Sequence, residues 1–103
     1  MKDGAFKASL TTTGRRTGNE HSVWLRAVVY EEKIYFSRRN ENSDWLKNAL
    51  ARPQVRVEFD GQTYAGMASL VTDESLAKTI SELKYPGEAR AEEARIVLQI
   101  NLN

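Results

Sequence analysis

The chain has 103 residues, 41% of them hydrophobic and 28% charged, the size and balance of one soluble domain with a modest core, which excludes wholesale disorder. Its net charge of +1 hides an asymmetry, +4 over residues 1–40 against −3 over residues 41–103, so basicity gathers in the first half. With no cysteine and one histidine, disulfides, thiolate chemistry and Cys-ligated or multi-His metal sites within the chain are excluded.

Alternation is the main local signal, because a half-buried strand sends successive side chains to opposite faces. Phe6, Ala8 and Leu10 share one face of a first strand. The stretch LTTTGRRTGNEHSVWL then ends that strand in adjacent arginines between glycines and restarts at once. Residues 22–30 form a longer strand with two largely apolar faces, Val23/Leu25/Ala27/Val29 and Trp24/Val28/Tyr30, which places it centrally between layers. Arg26 is the exception on the second face. Past a polar Glu31-Glu32-Lys33 turn, a strand over residues 34–37 stops at Arg38-Arg39.

Residues 43–51 read as a short helix with Asn42 or Ser43 as cap, Asp44 at the positive end, and Pro53 as the stop. Its packing face is Trp45, Leu46, Ala49 and Leu50. Val55, Val57 and Phe59 alternate with charges, and Asp60-Gly61 turns the chain into a strand over residues 62–70. A second helix starts near Thr72 or Asp73, buries Leu76, Ile80 and Leu83, and ends before Pro86-Gly87. The final strand, residues 95–102, puts Ile96, Leu98, Ile100 and Leu102 on one face.

Six strands and two short helices joined by tight connections predict one mainly β domain over residues 1–103, a small antiparallel barrel with helices covering its openings. Side chains fill the interior of so small a barrel, so a ligand is expected outside it, where two copies meet as a homodimer. The longest apolar run, residues 27–30, is too short to span a bilayer, and the opening MKDGAFK lacks a signal-peptide core. A cytoplasmic protein without membrane insertion is expected.

A Gly-flanked turn aims backbone N–H groups at an anion, and arginines add bidentate donors of fixed charge. A solvated hairpin tip accounts for Arg15-Arg16 equally well until Arg38-Arg39 is considered, a second basic pair just before a helix N-terminus. If those two strands run side by side, the arginines line one groove. A basic turn also suits a nucleic-acid backbone, but a pI of about 8.0, an acidic second half and the lack of aromatics among the arginines argue against that partner.

The set Leu10-Thr11-Thr12-Thr13-Gly14-Arg15-Arg16-Thr17-Gly18, a strand ending at Ser37-Arg38, then Trp45-x-x-Asn48 and Ala51-x-Pro53-x-Val55, resembles the deazaflavin-dependent nitroreductase family. The likeness runs from about Leu10 to the final strand. It implies the split β-barrel fold shared with FMN-binding, pyridoxamine phosphate oxidase-like flavoproteins, and a reductase using coenzyme F-420, a hydride carrier with a phosphate and an acidic oligoglutamate tail. In that likeness Arg15 and Arg16, with Thr17 of the same motif, match positions at the tail phosphate. Ser37 and Arg38 match positions beside the ring and phosphate, and Trp45 and Asn48 face the cofactor, although core packing for Trp45 and solvation for Asn48 explain them as well. The acceptor is expected to be a quinone, a nitro compound or an activated C=C bond.

Departures from the pattern matter as much. His21 stands where relatives often carry a basic residue; it donates to phosphate when protonated, or simply begins a strand. Arg26 replaces an aromatic residue over the substrate pocket, favouring an anionic substrate or an ion pair, unless it is a rim residue. Tyr85 matches a pocket tyrosine able to donate a proton during hydride delivery, or packs at a helix end, and the next family tyrosine is Glu88 here. FMN on the same arginines, and a carrier without catalysis, are the alternatives.

Overall fold

The computed structural model describes residues 2–38, 42–92 and 95–103. Its strands are β1 (Gly4–Thr13), β2 (Glu20–Tyr30), β3 (Lys33–Arg38), β4 (Gln54–Phe59), β5 (Gln62–Leu70) and β6 (Ile96–Leu102). Helix α1 (Asp44–Ala51) joins β3 to β4, and helix α2 (Glu74–Lys84) with a short 3-10 turn (Ala89–Glu92) joins β5 to β6. The strands pair in the order β1-β2-β3-β6-β5-β4 and β4 returns to β1, so the sheet closes into the expected six-stranded antiparallel barrel. β1 runs three residues further than its apolar alternation suggests, because β-branched Thr11, Thr12 and Thr13 continue the ladder opposite Ser22, His21 and Glu20.

Inward positions repeat every second residue: Ala8 faces Leu25 and Leu10 faces Val23 across the β1–β2 ladder. The interior cluster joins Leu10, Ala27, Ile34, Phe36, Val57 and Leu98, and α1 adds Leu46 and Ala49 to it, sealing that end. Trp45 meets the Phe36 ring edge-on at 6.2 Å. Leu50, expected on the packing face of α1, is 47% exposed, and Asn48 takes the inward place at 5%. The stripe of α1 that packs inward is residues 45, 46, 48 and 49, which leaves position 50 on the outer side. Ser43 is the N-cap, yet its hydroxyl makes no capping bond.

The second helix does not cover an opening. Capped by Asp73, whose carboxylate accepts from the Ser75 and Leu76 N–H groups at 2.9 and 3.3 Å, α2 lies on the outer wall. There Ile80 packs with Val28, Tyr35 and Val97 in a separate buried cluster, and Leu76 and Leu83 flank it. That outer wall is apolar and needs a cover, whereas the interior is already filled. The central placement expected for β2 therefore holds for Ala27, Val28 and Val29, all buried, but not for Trp24, which is 63% exposed beyond the reach of α2.

Since β1 and β3 each run antiparallel to β2, their C-terminal ends emerge at the same end of the barrel. α1 begins there too. No helix among the described residues is long and apolar enough to cross a membrane.

Candidate functional site

Glycines shape the β1–β2 loop. Gly14 N–H donates to the Asn19 carbonyl at 2.7 Å, and the Gly14 carbonyl accepts from Gly18 N–H at 2.9 Å, so the turn is closed at both ends. Gly18 sits at φ +76°, in the left-handed region that strains residues with a β-carbon. At Gly14 the demand is for space: a β-carbon would lie 3.0 Å from both His21 Nε2 and Thr17 Oγ1. The glycines thus fold the loop tightly enough to gather a hydroxyl and an imidazole beside the two arginines.

Arg15 is tied down. Asn48 Oδ1 accepts from Arg15 Nη1 at 2.6 Å and from the Arg15 backbone N–H at 3.2 Å, while the Asp44 carboxylate stands 3.5 Å from Nη2. Asp44 is almost fully exposed, so this ion pair contributes little, about 0–1 kcal/mol, and the buried amide does most of the positioning. Arg16 is exposed, and among the described residues no carboxylate pairs with it. Arg15, Arg16, Thr17, His21, Trp45 and Asn48 all line one cavity of about 410 Å³, the loop cavity.

Ser37, Arg38 and Tyr85 do not join them. They line a second cavity of about 390 Å³, between the β2–β3 wall and the C-terminal end of α2. Strand order is the cause: β2 lies between β1 and β3, so the two arginine-bearing ends are held a strand apart. The single groove expected for the arginines is replaced by two basins, and Arg39 lies outside the described residues. Trp45 lines one basin and Phe36 the other, so their ring contact stands between them.

The second cavity is dominated by charge. Lys84, only 7% exposed, donates from Nζ to the Ser37 carbonyl at 3.2 Å and to Ser37 Oγ at 3.0 Å. Burial holds the Lys84 amine below the ordinary lysine range; the Tyr85 phenol beside it acts in the opposite direction, and the charges of Arg95 and Arg26 press it further down. Tyr85, 8% exposed, terminates α2, and four cations stand over its ring at 4.2 Å (Arg90), 4.7 Å (Arg95), 5.2 Å (Lys84) and 5.6 Å (Arg26). Sequence reasoning reached Arg26 but missed Lys84, Arg90 and Arg95. Lys84 was there to be found, since it continues the Leu76, Ile80 spacing of four that marks the buried stripe of α2.

Residues 3–95 match the model of the F420H(2)-dependent quinone reductase family. The chain belongs to that family. It is an oxidoreductase that works with coenzyme F-420, and the family match sets F-420 ahead of FMN and a reductase ahead of a carrier. Among solved structures, the reductase is similar to an F420-H2 dependent reductase at 20% identity and TM-score 0.74, covering 92% of this chain and 93% of that one. A domain-swapped dimer matches at 21% and 0.73, covering 92% and 79% of the two chains. A putative pyridoxamine 5'-phosphate oxidase from Listeria innocua matches at 19% and 0.71, covering 94% and 83%. At these identities the likeness shows a shared fold. No curated protein matches the reductase.

Proposed function

We propose that the reductase grips the phosphate and acidic tail of coenzyme F-420 in the loop cavity and reduces a small organic acceptor, a quinone, nitro compound or activated C=C, beside Tyr85. The observation that carries this reading is the clamp on Arg15: Asn48 Oδ1 takes its guanidinium at 2.6 Å and its backbone N–H at 3.2 Å, so a charge is held in place before any ligand arrives. Arg16, the Thr17 hydroxyl and His21 complete a donor set suited to a tetrahedral anion. The tight packing around Gly14 supports the fit, since a β-carbon there would press on two of these donors. Each charged bond so preorganised is worth about 1.5–3 kcal/mol.

When bound, coenzyme F-420 supplies the hydride. The chain's own residues supply the rest. The edge-on Phe36–Trp45 pair gives an aromatic surface at the border of the two basins, against which the coenzyme's ring would rest within reach of the acceptor, and Tyr85 holds a proton at its hydroxyl inside the second. One hydride and one proton convert a quinone to its hydroquinone, and the phenol is reprotonated from solvent. Ser37, its hydroxyl bonded by Lys84, fixes the β3 end of that basin. Two copies are proposed to associate, a reading supported by the exposed Trp24 and Leu70 at 63% and 47% and by the dimeric solved relative; sedimentation of the purified protein tests it.

Titrating purified protein with F-420 and with FMN, followed by ligand fluorescence, tests the cofactor grip. F-420 is expected to bind at least about tenfold tighter, one extra charged contact's worth. Equal affinities would overturn the assignment of the loop cavity to an acidic tail.

A further inference from the structure

The second cavity contains more positive charge than positioning a phenol requires. Among its nine described lining residues, Arg26, Arg38, Lys84, Arg90 and Arg95 are cations and none is an acid. Glu88 reaches one of them, pairing with Arg90 at 2.9 Å from outside the lining. Arg26, Arg38 and Lys84 have no carboxylate partner among the described residues. For exposed arginines that is unremarkable. For Lys84 it is not, because an ammonium withdrawn from water needs an opposite charge, and its neighbours are the Ser37 carbonyl and hydroxyl and the Tyr85 phenol, none of them a carboxylate.

The β1–β2 register adds a second cost: Lys7 lies directly across from Arg26, a like-charge pair that a sheet tolerates poorly. The remaining walls are Leu25, Phe36, Ser37 and the Tyr85 ring. Apolar and aromatic walls, a cationic rim and about 390 Å³ of space together describe a receptacle for a small flat molecule bearing an acid group.

We propose that the acceptor taken by this reductase is an aromatic or quinonoid carboxylate, its acid group held by Arg26, Arg38 and Lys84 beside the Tyr85 phenol. This deepens the function proposed above and rests on it. The oligoglutamate tail of the coenzyme has the same carboxylate chemistry, but the clamped and free arginines that suit it lie in the other basin. The acceptor is therefore the source of the anion assigned to this cavity.

The test has a binding arm and a turnover arm. In cofactor-free protein, 2-naphthoate is expected to bind at least about tenfold more tightly than 2-naphthalenemethanol, read by tryptophan fluorescence, and the preference should disappear in Arg26→Leu and return in Arg26→Lys. With reduced F-420, a carboxymethyl-naphthoquinone should exceed its methyl ester in kcat/KM by a similar factor, with that ratio falling in Arg26→Leu. Equal binding of the acid and the alcohol, or a ratio near one, would overturn the proposal. A loss of affinity in Arg26→Leu for full-length F-420 but not for the tail-less deazaflavin would also overturn it, placing the tail in this cavity. If F-420 does not bind at all while naphthoate is still preferred, the cofactor assignment fails and the anion site stands.

Discussion

The two basins at the barrel's end are built by opposite means. In the loop cavity a guanidinium is neutralised in part and held by bonds, Arg15 to Asn48 and Asp44, within a loop drawn tight by glycines. In the second cavity cations gather around a tyrosine ring, and Arg26, Arg38 and the buried Lys84 among them have no carboxylate partner among the described residues. Rigidity assembled before the ligand arrives favours affinity, because the entropy of ordering is spent in folding. Uncompensated charge favours selectivity, because the wrong ligand leaves it unpaired. Under the proposed function, grip falls to one basin and choice and reaction to the other.

If that division is right, substitutions in the two basins dissociate. The largest effect is expected from Tyr85→Phe, which keeps the ring under its four cations and removes the proton: turnover should drop by about a hundredfold or more with F-420 affinity unchanged. Unaltered turnover would remove Tyr85 from the chemistry. Next comes Asn48→Ala. It leaves the Arg15 N–H groups without their buried acceptor, so stability should fall by about 1–3 kcal/mol in urea titrations, and F-420 affinity by about tenfold. Arg16→Gln is expected to cost up to about tenfold in affinity while stability stays within about 0.5 kcal/mol, since its guanidinium pairs with no carboxylate among the described residues. Were the two variants indistinguishable in stability, the clamp on Arg15 would be no more than a surface contact.

The difference between the basins also explains what the amino-acid sequence disclosed. The loop cavity was legible in two ways: the Gly-flanked arginines signal an anion site locally, whereas Thr17, His21, Trp45 and Asn48 were placed with them by the resemblance to a family and not by spacing. The second cavity draws on residues 26, 38, 84, 90 and 95, from strands, a helix end and a turn that meet only because β6 inserts beside β3. No local period reports such a meeting. The barrel itself was legible, since alternation and turn residues are local signals. What strand alternation left open was which apolar faces would be covered: Trp24 and Leu50 share the pattern of buried residues, and only the resting places of α2 and α1 leave them outside.

The smallest expected effect is a slope, and it tests whether Lys84 is strained by its surroundings. Its amine titrates below the ordinary value of 10.5 when folded, chiefly because it is buried. Below that lowered value both states carry the proton and the native state bears the full penalty. Between the lowered value and 10.5 the unfolded chain keeps a proton the native protein has released, so stability rises with pH there. Lys84→Met cannot release it, so wild-type stability should gain on the variant as pH climbs toward 10.5, measured by urea unfolding. Tyr35, whose hydroxyl burial pushes above 10.0, contributes the opposite slope: its stabilisation is complete below 10.0 and is lost as pH rises through the folded value. It is present in both proteins and cancels in the difference. Adding 2-naphthoate should flatten that difference, because an anion beside Lys84 restores the amine toward its usual range. Parallel curves without naphthoate would show that the solvent or the Tyr85 phenol already relieves the charge, and the distinction between a clamped basin and a strained one would lose its physical basis.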